Sequence, residues 1–523
     1  MTRVELIVHG NFVHSKSFDE LEVLEASYVG VDNKGSIVFM ASAEEMSGVE
    51  AAFGFTLDDF DGRLVDTLAG KDRADGTFIV PGYIDTHVHA PQYAFAGLGL
   101  DMPLLQWLET YTYPMEARFA DTDFAAVVYK AMLKRMVAAG TTTACMFGTL
   151  HAPASVDLAR YSRDVGLRGL VGKVCMDSHA PDNYIEPSAE DSLAATKDFV
   201  RDVLALDNAR VRPVITPRFA PSCSAELLAG LGQLATDFGG LHIQSHISES
   251  PAEIAWVRDL FPDAASYADV YAAAGLLTKR TVMAHGIHLT PDEMSLFARA
   301  RTGVSHCPAS NFGLTSGILN VLDLVQYDID VGLGTDVAGG PAISILDAMR
   351  LALVASKILT MPQHQANRKP NSDALSIHNV FYMATMGGAR VLDMHHSVGS
   401  FAVGKQFDAV VVDALAPDSP FDVFATDTSL HALFEKYLIL GDDRNHAAVY
   451  VAGELIHTRE TFSHSAESST TTTTWHKSPL SRRSRRSRRS CAPQASTALI
   501  AARAASVITA AAAAAIAVFT TTA

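Results

Sequence analysis

Cysteine is scarce in this chain and nowhere clustered. Five thiols, Cys145, Cys175, Cys223, Cys307 and Cys491, are spread over 523 residues without Cys-x-x-Cys spacing. An odd, scattered set argues against a disulfide framework, supplies no defensible thiolate ligand and reads as buried thiols in a reducing compartment. Positive charge is also in deficit. The formal net charge of −17 opposes a nucleic-acid partner for the body of the chain and suits a soluble enzyme. Glycine is not spaced to cradle phosphate, since neither DAVVVD (408–413) nor GLGTD (332–336) has the pattern that opens a nucleotide-binding helix. The N-terminal segment MTRVELIVHGNFVHS interrupts its short apolar run with Glu5 and His9 and lacks a small-residue cleavage site, so a cytoplasmic rather than secreted protein is expected.

Apolar residues are plentiful, at 48% of the chain, enough for a large core and for a barrel plus one smaller domain. The most informative stretch is PGYIDTHVHAPQ (81–92), in which His87 and His89 follow the apolar run Phe78-Ile79-Val80. Residues i and i+2 of a strand share a face, so two imidazoles at this spacing can converge on one ion. Asp85 shares that face and is placed to orient a ligand. Three further segments have the same form, an apolar run ending in a titratable residue: LHIQSHISES with His246 and Glu249, TVMAHGIHL with His285, and VGLGTDVAGG with Asp336. They alternate with helical stretches such as 124–140 and 345–359, which argues for βα units and a parallel sheet. In a (β/α)8 TIM-type barrel the C-terminal strand ends open on one mouth, so four distant segments can build one site.

The ends are patterned differently. Residues 1–76 contain short β-like runs broken by turn signals at Asp32-Asn33 and Lys34-Gly35, and residues 397–462 contain similar runs at 401–413 and 446–458. One small β-domain formed from both termini, with the catalytic barrel of residues 77–396 inserted between them, is the economical arrangement. Residues 463–523 fit neither part. They run through TTTTT and RRSRRSRR into an alanine-rich stretch, with seven arginines and Lys477 against Glu467. A basic anchor followed by a weak membrane helix is one reading of this tail. A disordered low-complexity extension without catalytic role is preferred, because Ala498–Phe519 is dominated by alanine and contains Arg503.

The segments DTHVH, HAPQYAFAG, FGTLH, VGKVCMD, TPRFAPSC, QSHISE, MAHG, HCPASN, GLGTDVAGG and LGDDRN together resemble the guanine deaminases of the amidohydrolase superfamily, over about residues 3–457. The resemblance implies a (β/α)8 barrel flanked by a small β-domain, one zinc ion per chain, a homodimer, and hydrolysis of guanine to xanthine and ammonia. It assigns His87, His89, His246 and Asp336 to the metal, a nitrogen and oxygen set that suits zinc. It makes Glu249 the proton shuttle, which protonates ring nitrogen 3 before hydroxide attacks carbon 2, while Asp336 takes the proton of the water and His285 hydrogen-bonds that water from outside the metal shell.

Substrate-reading groups follow from the same carry-over. Arg218 can only donate and suits a carbonyl oxygen, whereas Gln92 can donate and accept at once. Phe219, Trp107 and Phe95 offer apolar walls or ordinary rim packing, and the substrate-contact set is completed by His246 and Glu249. His306 either lines the pocket or fixes its loop, and His151, His179, His242 and His288 read as supporting residues. Two alternatives stay open: a hydrolase acting on another aminated heterocycle, such as an aminopurine, pyrimidine or triazine, and a non-catalytic scaffold that keeps the fold.

Overall fold

The computed structural model describes residues 3–69, 76–361, 374–424, 426–427 and 429–459, so the expected tail 463–523, Cys491 included, lies outside the described residues. Within them, hydrophobic periodicity has produced two sheets. The N-terminal strands are β1 (Val4–Ser15), β2 (Leu21–Asp32), β3 (Ile37–Ala41), β4 (Arg63–Asp66) and β5 (Thr77–Pro81). Next come β6 (Tyr83–His89), β7 (Thr141–Phe147), β8 (Arg168–Gly172), β9 (Val174–Cys175), β10 (Val211–Pro217) and β11 (His242–Ile247). Then follow β12 (Thr281–His285), β13 (Gly303–His306), β14 (Val331–Leu333), β15 (Ala409–Asp413), β16 (His446–Val451) and β17 (Glu454–Thr458).

Strands β6, β7, β8, β10, β11, β12, β13 and β14 pair in that order, all parallel, with β9 as a short extension beside β10. Their interiors are buried along nearly their whole length, as strands covered on both faces require. The ring closes where β14 and its following loop meet β6. The Asp336 amide donates to the carbonyl of His87 at 2.9 Å, the His89 amide to that of Val337 at 3.2 Å, and the Thr86 hydroxyl to that of Leu333 at 2.8 Å. The expected helices occupy Thr122–Ala138 and Ile345–Thr360, the first opened by the Asp121 carboxylate accepting from the amides of Asp123 and Phe124. Among the described residues this is the (β/α)8 barrel that the alternation of segments implied.

The second sheet runs β17-β16-β15-β5-β1-β2-β3, with β4 added beside β1, and so joins the two ends of the chain. One expectation about the border shifts. Thr77–Pro81 pairs antiparallel with β15 and meets β1, so the apolar run Phe78-Ile79-Val80 belongs to the terminal sheet, and the first barrel strand starts only at Tyr83. Two consecutive strands separated by Gly82 look like one apolar run in sequence. Cys145, Cys175, Cys223 and Cys307 are free and buried. Among the described residues no helix is long and apolar enough to cross a membrane.

The barrel is tied to the terminal sheet by a buried ion pair. Arg168 on β8 donates from Nε and Nη2 to the two carboxylate oxygens of Asp408, both at 3.1 Å, and Asp408 also accepts from the Ala452 amide at 2.7 Å. Arg168→Ala would strand a buried carboxylate and is expected to lower unfolding stability by about 3–5 kcal/mol. Denaturant titration of the purified variant measures this.

Candidate functional site

The two histidines of β6 project into the mouth of the barrel as period-2 geometry requires, and three other strand ends bring partners to them. The ring of His89 lies 5.1 Å from that of His246 on β11, nearly parallel to it, and their Nε2 atoms face each other at 3.1 Å. His87 Nε2 lies 3.1 Å and His89 Nε2 3.5 Å from the same oxygen, Asp336 Oδ1. His87, His89 and His246 form one group of donor atoms that could hold a metal, and His87 joins Asp336 and His285 in a second; His87, His89 and Asp336 are buried and His246 is partly buried. His246 Nδ1 is 2.6 Å from the Arg218 carbonyl. Donation of Nδ1–H to that carbonyl leaves the Nε2 lone pair free, the arrangement that a metal-binding histidine needs. The buried His87 Nε2 has only Asp336 Oδ1 beside it, at 3.1 Å and without the geometry of a hydrogen bond, two donor atoms that a metal ion between them would satisfy. The donor set thus fits a metal.

His285 approaches from another side, and a donor atom of it lies within 4.8 Å of those of His87 and Asp336, the second group that could hold a metal. Its Nε2 is 3.4 Å from Glu249 Oε2 and 3.7 Å from Asp336 Oδ2, the carboxylate oxygen turned away from His87 and His89. Its Nδ1 donates to Asn311 Oδ1 at 2.9 Å. Glu249, two residues past β11, also accepts from the Ser316 hydroxyl at 3.0 Å. His285 and Asp336 have positive φ, 70° and 48°, as does Ser248 at 49° just before Glu249. Backbone held in this region by residues with Cβ atoms is costly and tends to occur where side chains must be aimed. Gly334 allows the close approach that brings Asp336 in, since a Cβ there would lie 2.9 Å from the Cβ of His87 and 2.6 Å from the Ser305 hydroxyl.

Burial and charge divide the site's acids. Burial raises the Glu249 carboxyl to about 7 against the charge of nearby His285, whereas for Asp336 burial is outweighed by His87, His285 and His89 and the carboxyl is held well below its usual range. His89 and His246 are pushed down by burial and by neighbouring imidazoles, which keeps them neutral as ligands must be. For His285 burial acts downward, but the charges of Glu249 and Asp336 prevail and raise it.

Asp85 does not contact an imidazole. Its Oδ1 accepts from the amides of His87 and Thr335 and its Oδ2 from the Thr335 hydroxyl at 2.6 Å, so it orients the ligands by clamping their two backbone segments together. His306 is buried with both ring nitrogens unpartnered and is pushed down to about 3 by burial, with a smaller contribution from His285. His288 Nε2 donates to the Ser316 carbonyl at 2.9 Å and so supports the residue that holds Glu249. His242 and His179 bond main-chain carbonyls of Leu392 and Pro221.

Above these groups is a partly open cavity. Gln92, Arg218, Phe219 and Trp107 line it together with His89, His246, Glu249, His285 and Asp336. Phe95 instead packs behind Trp107, ring centroids 5.5 Å apart. Leu104, Leu108 and Leu314 complete the apolar walls, and all three were missed from sequence. So was Glu116, the buried partner of Arg218. The available signal was the unusually long connection of residues 90–121 between the first barrel strand and its helix.

A cavity at the C-terminal ends of barrel strands, floored by three histidines and an aspartate, defines a metal-dependent hydrolase type of site. The family model described as amidohydrolase family matches residues 78–456, and the chain belongs to that family. Within it, the chain is 41% identical over 454 residues to the guanine deaminase of Rattus norvegicus, covering 86% of this chain and 96% of the relative. It is 43% identical over 454 residues to the guanine deaminase of Dictyostelium discoideum, covering 86% and 97%. The crystal structure of guanine deaminase from C. acetobutylicum with bound guanine in the active site superposes with a TM-score of 0.75 at 34% identity, covering 86% of this chain and 99% of the other.

Proposed function

We propose that this chain hydrolyses guanine to xanthine and ammonia, with one zinc ion per chain held by His87, His89, His246 and Asp336. The observation that supports the reading is that Glu249, Arg218 and Gln92 line the same cavity as His89, His246 and Asp336, which belong to the groups of donor atoms that could hold a metal. Zinc bound there supplies a water acidified towards neutral pH and a charge that stabilises the transition state. The protein's own groups do the rest.

Glu249, raised by burial to about 7, can hold a proton at neutral pH and give it up on demand. It protonates ring nitrogen 3 of guanine, which makes carbon 2 electrophilic, and on collapse it passes the proton of the new hydroxyl on carbon 2 to the departing amine, while the proton held by Asp336 returns to Glu249. Asp336 accepts the proton lost by the attacking water. His285, held by Asn311, orients that water from the far carboxylate oxygen. Arg218 donates to the carbonyl oxygen of the base and Gln92 reads the adjoining ring nitrogens, while Phe219 and Trp107 confine the ring. The same reading has the enzyme acting in the cytoplasm as a homodimer, which cell fractionation and light scattering test.

The central test is to purify the full chain, measure bound metal and follow product formation from guanine, adenine, cytosine and a triazine. Zinc near one equivalent and xanthine formed from guanine are expected. Metal-loaded protein that leaves guanine untouched overturns the reading, and turnover of another heterocycle in its place selects the alternative substrate class.

A further inference from the structure

Glu116 lies outside the cavity lining and is fully buried, yet it binds two of the side chains that face the substrate. Its carboxylate accepts four hydrogen bonds. Oε2 takes Arg218 Nη1 at 2.6 Å and the Tyr184 hydroxyl at 2.8 Å. Oε1 takes Arg218 Nη2 at 3.1 Å and Gln92 Nε2 at 2.9 Å. A carboxylate has about four lone-pair sites, so Glu116 is saturated and presents nothing to a ligand itself. Gln92 is fixed at its other end by the Ala338 amide, which donates to Oε1 at 3.2 Å. The Tyr113 ring lies 5.2 Å from the centre of the guanidinium.

Building on the proposed reaction, we infer that Glu116 is the positioning residue for substrate selection: it sets the orientation of the Arg218 guanidinium and of the Gln92 amide, and through them the hydrogen-bond pattern that the cavity shows to a purine. The physical reason is directional. An unpaired Gln92 amide can present either end to the ligand, and only a neighbour that accepts without donating fixes which end is the N–H. Glu116 is such a neighbour on one side and the Ala338 N–H is its complement on the other. Arg218 is fixed in the same way, because the fork of two N–H groups engaged by Glu116 determines where the remaining donors point. The ion pair also makes the wall electrically neutral, which suits an uncharged base rather than an anion.

Glu116→Gln replaces an all-acceptor group with an amide that has one acceptor oxygen for four donors. Gln92 then turns over and Arg218 loses its fork partner. The expected result is a KM for guanine raised by about 10²-fold with kcat changed by no more than about threefold, because the groups at the reacting carbon are untouched. Zinc content should equal that of the wild type. The preference for guanine over purine-2,6-diamine, which carries an amino group in place of the carbonyl, should narrow by about tenfold or more. If Glu116→Gln does not fold, Arg218→Met/Gln92→Met and Arg218→Met/Gln92→Met/Glu116→Gln provide the test, since the triple variant lacks both charges of the buried pair and both groups that Glu116 positions. Glu116→Gln should then add less than about twofold to the loss already caused by Arg218→Met/Gln92→Met. Unchanged KM and unchanged discrimination in the single variant, or a further loss of about tenfold or more in the triple variant, overturn the assignment. A wild type inactive on guanine instead overturns the reaction on which it rests, and the wild-type assay alone reveals that case.

Discussion

Glu249→Gln is expected to keep its metal and to lose about 10²–10⁴-fold in kcat, the factor general acid–base catalysis commonly supplies. The substitution is nearly isosteric and the surroundings tolerate it. The Ser316 hydroxyl can still donate to the side-chain oxygen, and the new amide can donate to His285 Nε2, whose Nδ1–H is committed to Asn311. The Glu249 backbone is held independently of its own side chain, because its amide donates to Glu253 Oε2 at 2.8 Å in the capping box that opens the next helix. What the variant lacks is a group that can carry a proton. Burial places that proton near neutrality in the native enzyme, and an amide cannot replace it at any pH. Steady-state turnover of guanine together with metal analysis on the same preparation checks this. Loss of metal in parallel with activity would move Glu249 into the metal shell, and wild-type turnover would remove it from proton transfer.

The metal-directed residues were legible in sequence because each sits at the end of an apolar strand, where period-2 alternation and barrel topology together decide where a side chain points. His87 and His89 need only a strand to share a face, and His246 and Asp336 need only a closed parallel ring to reach them. Glu116 obeys no such rule. It lies in the short helix Tyr113–Ala117, and its burial depends on contacts with Gln92, Tyr184 and Arg218 from distant parts of the chain. No local period encodes such a long-range contact. The border strand β5 was misplaced for a related reason: the apolar run of residues 78–80 does not distinguish the terminal sheet from the barrel, and only pairing with β15 does. Asp85 shares a face with His87 as period 2 requires, yet it accepts from the amides of His87 and Thr335 and from the Thr335 hydroxyl.

Removing a metal-directed imidazole should have the largest effect of any single change. His246→Ala is expected to lose zinc and to reduce turnover by more than about 10⁴-fold, because without the ion a water of pKa about 15.7 replaces one near 7 as the source of the nucleophile. The remaining residues do not compensate. His285 stands on the other oxygen of Asp336, and Glu249, itself buried, faces His285. The deletion also frees the Arg218 carbonyl from its bond to His246 Nδ1, so whatever activity remains should show weaker guanine binding as well. Thermal unfolding separates metal loss from damage to the fold. A ligand that binds only the native state stabilises it by about 2.7 kcal/mol at a free concentration one hundred times its Kd. Wild-type melting should therefore fall with a chelator and recover with zinc, with activity following both changes. In His246→Ala, melting should respond to neither addition and should match the chelated wild type once the small cavity is allowed for. A variant that still binds one zinc and whose melting responds to it would exclude His246 as a ligand, and with it the meeting of the β6 and β11 histidines as the core of the metal site.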